Sequence, residues 1–224
     1  MTMGAAELAA RIDHTLLRPE ATRDDVERAA VQAIELGCAS VCVQPDQVAF
    51  VREVVGDRIV VCSVVAFPHG ATPARLKADE AAAAVAMGAR EVDMVVALGP
   101  IAEDDLAHVA HEVAIVREAV PGVVLKVIVE SALWTPPVLR GVCEAVVDGG
   151  ADFVKTSTGF HPAGGASVHA VELMARTVGG RLGVKASGGI RDWASAVALV
   201  EAGATRLGLS GTAAVVAGGR SEGY

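Results

Sequence analysis

Aromatic side chains are scarce in this chain: one Tyr, two Trp and four Phe, or 3% of 224 residues. A protein that stacks on nucleic-acid bases needs more such platforms. An excess of positive charge is missing too. Lys and Arg number 19 against 27 Asp and Glu, for a net charge of −8. With no basic stripe, neither nucleic acid nor an anionic membrane is an expected partner. A small phosphorylated ligand is not excluded, because backbone amides bind phosphate even inside an acidic protein. Cysteine is sparse. Cys38, Cys42, Cys62 and Cys143 match no zinc spacing, and the first three lie in or beside apolar runs. They read as reduced, buried thiols of a cytoplasmic protein. Apolar runs are all shorter than the roughly 20 residues of a membrane helix, and charge or glycine breaks them. The N-terminus lacks a basic region followed by an apolar run, so no signal peptide is expected.

Hydrophobic residues make up 52% of the chain, with alanine supplying many of them. That suffices for a sizeable core. A short helical lead-in at 5–11 is followed by eight apolar stretches, each separated from the next by an amphipathic one, in units of roughly 25–30 residues. The expected strands include 59–67, 91–96 and 123–129, and the expected helices include 103–120 and 166–178. Thr22 and Thr135 read as helix N-caps, as does Thr72 with Pro73 at the first helical position. A quasi-repeat runs through the chain. Gly37-Cys38, Gly88-Ala89, Gly150-Ala151 and Gly203-Ala204 each close a helix just before a strand. Continuous apolar strands between helices mean a covered parallel sheet. Eight units in this length suit an α/β fold of the (β/α)8 TIM-barrel type, one domain over 1–224, with a polar tail from about 218. A doubly wound open sheet competes, but no GxGxxG turn follows the first strand.

Barrels of this kind do chemistry at the C-terminal ends of their strands. The polar residues there form a set: Asp13 and Thr15 on the first strand, Asp93 on the fourth, Lys126 on the fifth, Lys155 on the sixth and Lys185 on the seventh. Lys155 sits in the apolar stretch Asp152-Phe153-Val154-Lys155, before the turn Thr156-Ser157-Thr158-Gly159. A buried ammonium is costly, so it needs a partner or gives up its proton. An uncharged lysine is a nucleophile for carbonyls. The alternative is a lysine that snorkels to solvent or pairs with a carboxylate. Lys155 and Lys185 fall on neighbouring strands, close enough to lower each other's proton affinity. Asp93 would neutralise one charge and serve proton transfer. Glycine-rich turns, Ser187-Gly188-Gly189 and Gly208-Leu209-Ser210-Gly211, follow the last two strands, where barrels cradle phosphate.

The segments Ile12-Asp13-His14-Thr15-Leu16-Leu17, Glu91-Val92-Asp93-Met94-Val95, Lys155-Thr156-Ser157-Thr158-Gly159-Phe160 and Lys185-Ala186-Ser187-Gly188-Gly189-Ile190-Arg191 occur in this order. Together they resemble the deoxyribose-phosphate aldolases, a family of class I, Schiff-base aldolases. The resemblance implies that Lys155 forms the imine, Lys185 keeps it neutral and aids proton relay, and Asp93 is the acid/base. It places Asp13, Thr15 and Lys126 in the substrate or relay network. It places Gly159, Gly188, Gly189, Gly208 and Ser210 around the substrate phosphate. Tyr224 stands where some members use a C-terminal tyrosine in proton transfer, against the alternative of an unordered tail. Gln44 stands where many members carry asparagine, and Gly211 where some carry a second serine. The implied reaction is reversible cleavage of 2-deoxy-D-ribose 5-phosphate to acetaldehyde and glyceraldehyde 3-phosphate. It needs no metal or cofactor, and a homo-oligomer, dimer or tetramer, is expected. Two rival readings stay open: a different phosphosugar enzyme, such as another Schiff-base aldolase or an isomerase, and a barrel that binds a sugar phosphate without catalysis.

Overall fold

The computed structural model describes residues 3–222. Eight parallel strands close into a barrel in chain order. They are β1 (Ile12–Leu16), β2 (Ser40–Val43), β3 (Val60–Val65), β4 (Glu91–Val95), β5 (Val124–Ile128), β6 (Phe153–Lys155), β7 (Gly183–Ser187) and β8 (Arg206–Leu209). A short helix, α1 (Ala5–Ala9), precedes β1. The outer layer is α2 (Arg23–Glu35), α3 (Val48–Val55), α4 (Ala74–Ala86), α5 (Leu98–Ala102), α6 (Leu106–Ala119), α7 (Pro136–Asp148), α8 (Val168–Val178), α9 (Trp193–Glu201) and α10 (Thr212–Val216). This is the expected (β/α)8 barrel. Alternation along each strand turns one set of side chains outward, toward the helices, and the other inward. Val92, Leu125, Val127, Val154, Val184 and Leu207 belong to the large core that the helices cover.

Local chemistry explains most element ends. Thr22 and Asp25 form a reciprocal capping box at the start of α2. The four glycines of the quasi-repeat, Gly37, Gly88, Gly150 and Gly203, all have positive φ. Three boundaries differ from the sequence expectation, and a fourth, at Thr135, is met without the expected side-chain cap. The strand expected over 59–67 stops at Val65, because Ala66 turns left-handed (φ 52°) and its N–H donates to Glu80 Oε2 at 2.9 Å. The helix expected over 103–120 begins only at Leu106, and a short helix that was not expected, α5, ends before it at Ala102. Asp104 takes φ 62°, and the Asp105 side chain restarts the chain by capping His108 N–H at 3.1 Å. Pro73, not Thr72, occupies the N-cap position of α4, because Pro73 itself is extended (ψ 140°) and the helix starts one residue later, at Ala74. Thr135 is the N-cap residue of α7 but makes no side-chain cap; Pro136 starts that helix with its fixed φ and no N–H to satisfy.

Candidate active site

The inward-facing residues of β1 and β4–β8 build a ladder of opposite charges through the barrel. At its lower end Arg206 Nη1 donates to Asp13 Oδ1 at 2.6 Å and to Glu91 Oε2 at 3.1 Å. Lys126 Nζ comes next, 2.6 Å from Glu91 Oε2 and 2.8 Å from Asp93 Oδ1. Lys185 Nζ bridges Asp13 Oδ2 at 2.5 Å and Asp93 Oδ2 at 2.6 Å. Lys155 Nζ tops the ladder, 2.7 Å from the same Asp93 oxygen. Lys155 and Lys185 are register partners on β6 and β7, as Ile128 and Lys155 are on β5 and β6. All of Asp13, Asp93, Lys126 and Lys185 are fully buried.

Charges so placed perturb one another strongly. Burial works against ionised Asp93, but Lys126, Lys155 and Lys185 more than offset it and hold the carboxyl well below its ordinary range. Asp13 is likewise lowered, burial being outweighed by Lys185, Lys126 and Arg206. Burial opposes the Lys185 ammonium, yet Asp13 and Asp93 leave it raised above a lysine's usual value. Lys126 is raised in the same way, chiefly by Asp93. The sequence expectation that the two lysines depress each other is therefore corrected for Lys185. Its two carboxylate partners outweigh its cationic neighbour, so it stays an ammonium.

Above the ladder lies a cavity of about 130 Å³. Lys155 is the ladder residue that lines it, together with Thr15 and all five glycine-turn positions singled out: Gly159, Gly188, Gly189, Gly208 and Ser210. Thr15 Oγ1 donates to the Asp13 carbonyl at 2.8 Å. Lys126 lies beneath the floor, beside Asp93 rather than in the cavity. Tyr224 lies outside the described residues. Two glycines are sterically required. A Cβ on Gly188, whose φ is 83°, would fall 3.0–3.1 Å from the Gly165 and Gly159 backbones. One on Gly208 would fall 3.3 Å from Lys185 Cε. The two phosphate-type loops thus need glycine to close over the cavity and to leave Lys185 its path.

Sequence reasoning missed Arg206 and Glu91 as ladder members, and Leu17, Phe160 and Arg191 as cavity lining. Parity could have found the first two, since each stands two residues before an inward position on its strand. The other side of the interior is apolar: Leu17, Cys42, Cys62 and Val64 cluster with Phe67. The Sγ atoms of Cys42 and Cys62 and an Asp93 oxygen lie within 4.8 Å of one another. The ammonium groups of Lys126 and Lys185 already sit on that carboxylate, which makes the spot hostile to a further cation.

The chain resembles known proteins over nearly its whole length. The DeoC/LacD family aldolase model matches residues 8–218. The chain belongs to this aldolase family. It is 58% identical over 222 residues to the deoxyribose-phosphate aldolase of Mycolicibacterium paratuberculosis, covering 97% of this chain and 99% of that one. Identity to the deoxyribose-phosphate aldolase of Mycobacterium tuberculosis is 55% over 217 residues, 95% of this chain and 96% of that one. Among solved structures, the tetrameric deoxyribose phosphate aldolase of Aeropyrum pernix superposes with a TM-score of 0.87 at 34% identity. That match covers 96% of this chain and 91% of the other. The two departures from the family pattern have local explanations. Gln44 Nε2 donates to the Leu17 carbonyl at 2.9 Å and so ties the top of β1 to β2. A side chain at Gly211 would meet Ser221 Oγ at 1.8 Å, so the C-terminal segment occupies that space. Ser221 N–H donates to the Arg191 carbonyl at 2.8 Å, which brings the tail against the phosphate-type loops.

Proposed function

We propose that the chain catalyses reversible cleavage of 2-deoxy-D-ribose 5-phosphate to acetaldehyde and D-glyceraldehyde 3-phosphate through a Schiff base on Lys155. The observation that carries this reading is one carboxylate oxygen, Asp93 Oδ2, shared by the amines of Lys155 and Lys185, with only the former lining the cavity. Uncharged Lys155 attacks the substrate C1 aldehyde, and loss of water gives an iminium. Asp93 and Lys185 relay the proton from the C3 hydroxyl, and the C2–C3 bond breaks. Its electron pair flows into the iminium, leaving an enamine and free glyceraldehyde 3-phosphate. Protonation at C2 and hydrolysis release acetaldehyde and restore the amine. Lys126 and Asp13 hold the relay in place, and Thr15 faces the substrate. The phosphate sits among the backbone amides of Gly159, Gly188, Gly189, Gly208 and Ser210. Tyr224 is assigned to proton transfer at the enamine carbon.

This reading treats 1–224 as one domain, because the site draws on strands from β1 to β8. It places the enzyme in the cytoplasm as a dimer or tetramer, a state light scattering checks. No described helix is long and apolar enough to cross a membrane. The direct test is a cleavage assay on purified protein with parallel detection of both aldehydes. Acetaldehyde as the accepted donor supports the proposal. Turnover confined to another donor, or none at all, refutes it.

A further inference from the structure

The ladder has an arithmetic consequence for the reactive amine. It contains four cationic side chains, Lys126, Lys155, Lys185 and Arg206, against three carboxylates, Asp13, Glu91 and Asp93. The signs alternate by layer: Arg206, then Asp13 with Glu91, then Lys126 with Lys185, then Asp93, then Lys155. With every group ionised one positive charge is left over. Arg206 cannot release a proton under these conditions. Among the described residues, Lys126 has three carboxylate contacts, Lys185 has two and Lys155 has one. Lys155 is therefore the cation of the column that the fewest carboxylates hold. Arg206 is built into place. Its guanidinium lies 5.5 Å from the ring centroid of Phe153, which precedes Lys155 by one turn of strand alternation. Among the described residues, the other ionisable groups facing this column are the thiols of Cys38, just before β2, Cys42 on β2 and Cys62 on β3, and the Cys62 thiol donates to Asp93 Oδ1 at 3.3 Å.

We infer that Arg206 and Glu91, at the far end of the barrel from the cavity, are positioning residues that set the pH at which Lys155 becomes nucleophilic. Arg206 supplies the surplus charge, and Glu91 limits it. This deepens the function proposed above and rests on it. Neither residue touches substrate. They act through Asp13, Lys126, Lys185 and Asp93, in an interior where charges are poorly screened.

The experiment measures the pH dependence of borohydride-trapped imine formation with acetaldehyde in wild type, R206Q, R206K, E91Q and the double variant E91Q/R206Q. Removing the Arg206 charge makes Lys155 harder to deprotonate. The acid limb of R206Q therefore moves to higher pH by about half a unit or more, and its rate at a fixed pH below the limb falls at least about threefold. E91Q moves the limb the opposite way. R206K stays with wild type, and the double variant, with the surplus restored, returns toward it. If R206Q does not fold, the shift in E91Q alone and the return in the double variant decide the matter. Limbs that coincide, or that shift in the same direction for R206Q and E91Q, overturn this inference while leaving the aldolase reading intact. Absence of any trapped imine in wild type overturns the aldolase reading itself.

Discussion

Gly208 shows how a single missing methyl group serves chemistry. Its ideal Cβ position lies 2.9 Å from Ser187 Cβ and 3.3 Å from Lys185 Cε. Gly208→Ala crowds both, so Ser187 must shift and Lys185 Cε must give by a few tenths of an ångström. Small displacements of a reacting group cost up to about 10²-fold in rate, so we expect kcat to fall at least about tenfold in a variant that keeps its circular dichroism spectrum. Unchanged kcat would show that the neighbours give way freely. The convergence of Lys155, Lys185 and Asp93 inside the barrel was legible in the sequence, because ionisable groups in apolar strands are costly to bury without partners. Arg206 and Glu91 were not. Each opens its strand, where a charged residue ordinarily reads as a solvated end, and only the closed barrel brings them together.

Between elements, one ion pair stands out. Lys77 on α4 and Glu112 on α6 are both fully buried and 2.7 Å apart. Lys77 Nζ also donates to the Val95 carbonyl at 2.7 Å, and Glu112 Oε2 accepts from Ala97 N–H at 2.9 Å. The pair therefore pins the end of β4, two residues beyond Asp93, to the helical layer. Burial lowers Lys77's proton affinity, and Glu112 only partly restores it. Removing one partner strands a buried charge. Lys77→Met should cost about 3–5 kcal/mol in urea denaturation, and K77M/E112L should recover most of it. A single variant as stable as wild type would contradict this account. The periodicity of apolar residues made the strands and most helices readable. It did not reveal the break at Asp104 or the early end of β3. The second depends on a carboxylate, Glu80, that arrives from fourteen residues away.

For the molecule as a whole, acid stability has two separable stages. His14 faces out of the barrel, is buried, and its Nδ1 lies 2.8 Å from Thr212 Oγ1, joining β1 to α10. Burial lowers its pKa from 6.5 to about 4. Between those values the unfolded imidazole binds a proton that the folded one does not, so stability rises with pH across that window and is flat above it. The loss by pH 4 is on the order of 3 kcal/mol. His14→Asn should abolish this slope in denaturant titrations between pH 7.5 and 4; an unaltered slope would contradict it. The second stage belongs to Asp13 and Asp93. Their folded carboxyls are held below the ordinary 3.8, so their contribution is complete above that value and is lost as pH falls beneath it. The His14 variant should keep this second stage.

One amine accessible from the cavity is asked to carry the covalent chemistry. Mass spectrometry of the protein reduced with borohydride in the presence of acetaldehyde tests that directly. A single ethyl addition mapped to Lys155, absent in Lys155→Ala, is the predicted result. An addition that survives that substitution at normal yield, or that maps to Lys126 or Lys185, would contradict it.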